Sequence, residues 1–285
     1  MLRPERFVFE GHEVPALRPV ELSHTHGFAF TASSGAQYRL LVAIPPEPAP
    51  PGGFPVLVLV DGDALFPTAL SAARLQAGRP EVSGVGPAVI LGIGYPGARP
   101  FDAERRRQDL LPAEGGADRF LDLIAGGILA QVERLAPIDR TRLSLAGHSF
   151  GGLFALHALF SRPGLFRSHV AGSPSIWWEE RAILATRERF LNSPVATAMP
   201  RLLITVGGEE QSGDELRDPQ RAARLRMARM IDNATEMAEV LTASGRVACE
   251  HVVLSGENHI SVVPAMLSRA VAFTLGGEAR QKGSP

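Results

Sequence analysis

A serine framed by glycines sits where a β-rich run gives way to a helical one. Leu143-Ser144-Leu145-Ala146-Gly147-His148-Ser149-Phe150-Gly151-Gly152-Leu153 places Ser149 in a Gly-x-Ser-x-Gly spacing, which suits a nucleophilic hydroxyl on a strand-to-helix turn. The glycines have a steric reason. Such a turn holds its serine in a strained backbone conformation, and small residues two before and two after let strand and helix approach. The following helix points its positive end at the hydroxyl, and Gly151 and Gly152 keep its start free of side chains. The chemistry implied is attack of an activated hydroxyl on a carbonyl carbon.

A serine hydroxyl is a poor nucleophile until a base takes its proton. On a turn of this kind the partners follow in chain order, acid before histidine. Eight histidines are available. His148 lies inside the turn, His157 on the helix after it, and His169 and His251 within β-rich runs. His12, His24 and His26 precede the sheet. His259, in Ser255-Gly256-Glu257-Asn258-His259-Ile260-Ser261, falls on the loop beyond the last strand, where parallel sheets carry their sites. It is the candidate base.

The acid should follow the preceding strand. Leu202 to Val206 runs into Gly207-Gly208-Glu209-Glu210-Gln211, so either carboxylate stands at the right end of that strand. Glu210 is favoured. It lies 49 residues before His259, enough for one helix and one strand, and would orient the imidazole and stabilise its charged form. An oxyanion would need backbone N–H donors. Phe150, after the serine, offers one. The turn Asp61-Gly62-Asp63 offers the second, with Gly62 favoured among these neighbours.

These residues need a sheet to hold them. Residues 28–31 and 38–44 flank the turn Ser33-Ser34-Gly35 and read as an antiparallel hairpin. Continuous apolar strands follow at 56–60, 88–93, 142–146, 169–171, 202–206 and 250–254. Unbroken Val/Ile/Leu runs suit strands buried on both faces of a parallel sheet. Helical patterns lie between them at about 118–135, 151–160, 219–243 and 262–275. The expected fold class is α/β: one domain over residues 1–276, a mostly parallel central sheet with helices on both faces, and a polar tail over 277–285.

Composition narrows the function. The chain has 285 residues, 45% apolar and 21% charged, with a formal net charge of −1. That is ordinary for a globular protein and argues against a nucleic-acid binder, which would need a basic face. A single thiol, Cys249, allows neither an intrachain disulfide nor a cysteine zinc site. No His-Glu-x-x-His or comparable metal cluster occurs. The only lysine is Lys282, which removes a Walker phosphate loop and a core Schiff-base lysine. Gly92-Ile93-Gly94-Tyr95-Pro96-Gly97 matches a dinucleotide fingerprint, yet 98–112 reads as lacking an amphipathic helix and no ribose-binding acid follows. No metal or cofactor is expected. The N-terminal residues hold no apolar stretch long enough for a signal peptide, and no run approaches a membrane span, so a cytoplasmic, soluble protein is expected.

Several further motifs appear in order: Gly92-Ile93-Gly94-Tyr95-Pro96, Arg107-Gln108-Asp109-Leu110-Leu111-Pro112, Gly115 to Phe120, the Ser149 turn, Ser173-Pro174-Ser175-Ile176-Trp177-Trp178, Val206 to Gln211, and Asn258-His259. From about Phe30 to Leu275 the chain resembles the esterase-D-like α/β hydrolases. It is most similar among them to the siderophore esterases that cleave enterobactin- or bacillibactin-type trilactones. The resemblance implies an α/β-hydrolase fold, Ser149 as nucleophile and His259 as base, with a Ser–His dyad in some relatives. Ile260 departs from the glycine that many relatives carry after the histidine.

That substrate class gives two further features a meaning. A ferric tris-catecholate is strongly anionic, and Arg105-Arg106-Arg107, read as a loop, would supply a cationic rim through Arg107. Trp177 and Trp178 would line an acyl pocket or stack on catechol rings. The expected activity is serine carboxylic-ester hydrolysis of a small-molecule ester. The rivals are a short-chain, aryl or thioester esterase that never meets a siderophore, and a hydrolase-fold protein that binds an iron chelate or a partner without cutting it.

Overall fold

Strands made of unbroken Val, Ile and Leu fill the middle of the molecule because both of their faces are covered. The computed structural model describes residues 8–9, 12–13, 19–97, 99–112, 115–194, 198–213 and 218–277. Residues 278–285 of the expected tail lie outside them. In chain order, β1 (Val8–Phe9) and β2 (His12–Glu13) pair with each other. Then come β3 (Thr25–Thr31), β4 (Gln37–Ala43), β5 (Phe54–Val60), α1 (Gly62–Ala77), the one-turn α2 (Pro80–Ser83), β6 (Val89–Gly94) and α3 (Ala103–Leu110). A three-part helix follows: α4 (Gly116–Asp122), a π-helical turn (Leu123–Ile128) and α5 (Leu129–Glu133). The second half is β7 (Ile138–His148), α6 (Phe150–Ser161), β8 (Ser168–Gly172), α7 (Trp178–Arg181), α8 (Ile183–Asn192), β9 (Arg201–Gly207), α9 (Pro219–Ala228), α10 (Met230–Ala243), β10 (Ala248–Leu254) and α11 (Val262–Leu275).

Eight strands form the main sheet in the order β10-β9-β8-β7-β5-β6-β4-β3. Strands β5 to β10 run parallel, and the β3–β4 hairpin joins antiparallel through β4 to β6. This is the mostly parallel sheet with an N-terminal antiparallel hairpin expected from the sequence. Successive side chains of a strand face opposite ways. Along β5, Val56, Val58 and Val60 enter a core with Phe120, Leu153 and Phe154. Leu57 and Leu59 enter a second core with Leu65, Met266 and Val271. Full burial of each such side chain is worth about 1.5–3 kcal/mol. All six parallel strands therefore end on one rim, and the loops leaving that rim lie side by side.

Four readings are corrected. Residues 98–112 do contain a helix, α3, so Arg105, Arg106 and Arg107 are helical and not in a loop. Asp102 caps it by accepting a hydrogen bond from the Arg105 N–H at 3.1 Å, and its mostly charged sequence hides any apolar stripe. Helix α1 was missed because Asp61-Gly62-Asp63 reads as a turn and Pro67 lies inside the helix. The pattern was present: Leu65, Phe66, Ala69, Leu70 and Ala73 all face the core. Helix α8 was also missed. The run 219–243 divides at Arg229, whose φ of 47° is left-handed. Several strands extend beyond the runs read from sequence, β7 most of all, while β4 and β6 keep the expected length and shift by one residue.

The Gly92–Gly97 motif has a packing role. A Cβ on Gly94 would lie 2.0 Å from Asp63 Oδ2, and one on Gly62 would lie 2.6 Å from the Gly92 carbonyl carbon. The glycines let the first turn of α1 sit on β6. No helix among the described residues is long and apolar enough to cross a membrane.

His169 on β8 is fully enclosed, its ring edge-on to Phe166. Burial pushes its imidazole down to about 3. The folded chain then binds fewer protons than the unfolded chain as pH falls below 6.5, so stability is present above that pH and is lost toward pH 3. His169→Leu is expected to flatten the fall in unfolding free energy between these limits, measured by urea denaturation. An unchanged slope would contradict this.

Candidate active site

Ser149 sits between the end of β7 and the start of α6 with φ 61° and ψ −115°, a conformation that a non-glycine residue keeps only when its surroundings impose it. The flanking glycines are what permit it. A Cβ on Gly147 would lie 2.4 Å from the Gly151 carbonyl carbon, and one on Gly152 would lie 2.6 Å from the Gly172 carbonyl oxygen. Gly152 thus serves the contact with the end of β8, a tighter constraint than clearing space near a substrate. The Ser149 N–H donates to the Gly172 carbonyl at 2.8 Å, and the Ser175 N–H donates to the Ser149 carbonyl at 3.2 Å. The serine hydroxyl lies 3.2 Å from Ser175 Oγ, its hydrogen-bond partner here.

His259 leaves the loop after β10 where Asn258 and Ser261 hold each other. Asn258 Oδ1 accepts from the N–H groups of Ile260 and Ser261 at 2.9 and 3.1 Å, and Ser261 Oγ accepts from the Asn258 N–H at 3.0 Å. This reciprocal cap sets the direction of the turn into α11. His259 Nδ1 is 2.5 Å from Glu210 Oε2. Its ring centroid lies 4.6 Å from that of His148, the residue before Ser149. The base candidate therefore stands beside the serine turn on the same rim.

Of the two adjacent acids, Glu210 is buried at 1% exposure and Glu209 faces solvent. The Glu210 carboxylate takes three hydrogen bonds: from the Gly207 N–H at 2.7 Å, from Ser173 Oγ at 2.5 Å and with His259. The acid loop is also tied by its backbone to the base loop, Gly208 N–H to Leu254 O at 2.8 Å and Glu209 N–H to Glu257 O at 3.0 Å. Ser173 and Ser175, two residues apart, thus touch the acid and the serine. In the sequence, Ser173-Pro174-Ser175 carries a family resemblance and no assigned role. Its signal was the pair of hydroxyls just past a strand end.

The two oxyanion candidates are each the first residue of a helix, Gly62 of α1 and Phe150 of α6. Such N–H groups have no partner within their own helix. Asp61, before Gly62, has φ 54°, and its Oδ2 lies 3.3 Å from where a Cβ on Gly151 would be. Hence the turn after β5 lies against the serine turn. Burial pushes the Asp61 carboxyl up to about 6 against the pull of Arg106, whose Nε lies 2.8 Å from Asp61 Oδ1. Arg106 also donates from Nη2 to the His148 carbonyl at 3.2 Å. His148 is driven down to about 3, first by burial and then by the neighbouring His259 and Arg106. It is neutral at ordinary pH and adds no charge beside the base candidate.

The expected cationic rim divides. Arg105 lies over the rings of Tyr38 and Tyr95, Arg106 faces inward, and Arg107 is exposed on α3. The tryptophans divide too. Trp178 packs edge-on against Phe150, ring centroids 4.8 Å apart, while Trp177 is 40% exposed. Ile260 is 66% exposed, an apolar side chain next to His259. A cavity of about 670 Å³ opens nearby, with Glu209, Arg221 and Asn258 on its wall.

Comparison with known proteins agrees with this arrangement of elements. The Esterase family model, described as "Putative esterase", matches residues 31–254. The ferri-bacillibactin esterase BesA of Bacillus subtilis is 36% identical over 257 residues, 84% of each chain. The siderophore triacetylfusarinine C esterase of Aspergillus fumigatus is 36% identical over 277 residues, 90% of this chain and 94% of the other. The crystal structure of the BES protein from Bacillus cereus superposes with a TM-score of 0.80 at 32% identity, covering 92% of this chain and 98% of that one.

Removing one donor from a buried carboxylate costs about 1–3 kcal/mol. Ser173→Ala is expected to lower unfolding stability by that amount in urea titrations. A loss below about 0.5 kcal/mol, the usual range of surface changes, would show that the Ser173–Glu210 contact carries no weight.

Proposed function

The chain belongs to the Esterase family and is a carboxylic-ester hydrolase, and from that premise we propose that it opens ester bonds of a siderophore through Ser149, His259 and Glu210. The observation that carries the proposal is the buried Glu210 carboxylate bonded to His259 beside the strained serine turn.

In this reading the Ser149 hydroxyl turns about its Cα–Cβ bond from Ser175 toward His259 Nε2. His259 takes its proton as Oγ attacks the ester carbonyl carbon. The carbonyl electrons move onto oxygen, where the N–H groups of Phe150 and Gly62 receive them. Collapse breaks the ester C–O bond, and His259 gives its proton to the departing alkoxide. Water, deprotonated by His259, then releases the acid and regenerates Ser149. Glu210 holds Nδ1 and stabilises the imidazolium in both halves. Ser149→Ala is expected to abolish hydrolysis of a short p-nitrophenyl ester without unfolding the chain. Glu210→Gln is expected to reduce kcat by roughly 10²–10⁴-fold, the range spanned by general-base assistance. Full turnover in folded Ser149→Ala would overturn the mechanism.

The siderophore part is supported by the relatives' printed activities and by features of the rim. Trp177 and Ile260 offer exposed apolar surface beside the site, Arg107 is an exposed cation on α3, and the adjoining cavity has the volume that a drug-sized ligand fills. The test is product analysis with a panel of esters that includes a ferric trilactone. A kcat/KM at least roughly tenfold above that for a simple acetate ester is expected, a ratio within reach of a few added contacts. Preference for the acetate ester would favour a general esterase. Failure of a fluorophosphonate to label Ser149 would favour a binding protein.

A further inference from the structure

We propose that the free edge of the main sheet is a contact surface for a second copy of this chain: strand β3 pairs antiparallel with β3 of its copy about a two-fold axis at Phe28.

Strand β3 ends the main sheet, and among the described residues no strand pairs with its outer side. Edges of this kind are commonly blunted by charges, proline, bulges or shortness, because a row of unpaired N–H and C=O groups invites another strand. Thr25-His26-Gly27-Phe28-Ala29-Phe30-Thr31 has none of these guards. It carries no Asp, Glu, Lys, Arg or Pro, and its seven residues keep one unbroken register against β4. The strand at the opposite edge, β10, carries an exposed Glu250 in its middle.

Hydrogen bonds at the two ends of the hairpin tell which backbone groups of β3 face outward. The Ala32 N–H donates to the Ala36 carbonyl at 2.8 Å, and the Ile44 N–H donates to the His24 carbonyl at 3.1 Å. Bonded and non-bonded pairs alternate along an antiparallel ladder, so the even-numbered residues of β3 bond to β4. Thr25, Gly27, Ala29 and Thr31 therefore point their N–H and C=O groups away from the sheet. An axis at Phe28 sets Gly27 of one copy opposite Ala29 of the other, and Thr25 opposite Thr31. Every outward N–H and C=O of both strands then has a partner. Moving the axis to Gly27 or Ala29 carries one threonine past the end of the facing strand.

The side chains obey the same symmetry. From either end the strand reads threonine, ring, small, ring, small, ring, threonine, so each residue meets one of its own class. Phe28 faces Phe28 in a non-bonded pair, where side chains stand closest, and His26 faces Phe30. Such cross-strand pairs of rings stabilise a sheet. Phe28 and Phe30 pack against the core and are only half-buried, so part of each ring is left for the copy to cover. A contact made by the same patch on both copies closes at two, which uses up the edge.

The test is sedimentation equilibrium of the full chain over roughly 10–300 µM, a span that brackets a micromolar to submillimolar Kd. The native chain is expected to approach twice its own mass. Ala29→Pro removes an outward N–H and spares the bonds to β4, and it is expected to raise Kd at least roughly tenfold, the effect of one lost hydrogen bond. Two double variants at exposed positions test the register. Gly27→Lys/Ala29→Lys sets lysine against lysine across the axis and is expected to be monomeric. Gly27→Glu/Ala29→Lys sets glutamate against lysine and is expected to dimerise, less so as salt rises. A Cβ on Gly27 would come no closer than 3.4 Å to a neighbour, the Leu41 side chain, so both are expected to fold, with native kcat on a short p-nitrophenyl ester as the check. If the lysine pair does not fold, Ala29→Pro carries the same expectation. A native chain that stays monomeric throughout would overturn the proposal, whatever else then covers the edge. A dimer that survives both Ala29→Pro and the lysine pair would overturn it too, as would equal masses for the two double variants.

Discussion

A carboxylate can be enclosed in protein only if donors replace the water it gives up, and the enclosure of Glu210 is the constraint from which the site is built. Its three donors come from three chain segments: Gly207 at the end of β9, Ser173 just past β8, and His259 on the way into α11. Those segments can meet because β8, β9 and β10 run parallel and finish on one rim. The backbone bonds from Gly208 and Glu209 to the loop after β10 close the arrangement. An imidazole placed this way is oriented before any substrate arrives. The serine turn is joined to the same structure through Ser175 and Gly172.

His148 packs against His259, and its enclosure keeps it uncharged. The nearby buried acid, Asp61, is matched by Arg106. Beside these buried groups the chain presents exposed apolar side chains, the ring of Trp177 and the side chain of Ile260.

Much of the plan was legible in the sequence because it obeys chain order and strand polarity. Unbroken apolar runs gave the strands, a glycine-framed serine gave the turn, and His259 was the histidine left over a strand end. Other features were illegible for physical reasons. Glu210 is the acid favoured from sequence, but the reason it and not Glu209 is enclosed is the twist of one loop, which turns one inward and the other to solvent. Which of Arg105, Arg106 and Arg107 turns inward needs the rotation of α3, which three like residues in a row conceal. The left-handed break at Arg229 carries no glycine or asparagine to announce it. Helix α1 did carry its apolar spacing, but turn-forming residues at its start outweighed it. Ser173 and Ser175 stood in view as a motif, and only the fold shows which hydroxyl meets which partner.

The central claim is that one rim unites a serine, an oriented imidazole and two oxyanion donors. It is tested most directly by a crystal structure of the chain after reaction with a small fluorophosphonate. The expected result is phosphorus bonded to Ser149 Oγ, the phosphonyl oxygen within hydrogen-bond distance of the Phe150 and Gly62 N–H groups, and His259 Nδ1 still on Glu210. Phosphorus on another residue, or its oxygen turned away from both N–H groups with the imidazole released from Glu210, would contradict the claim.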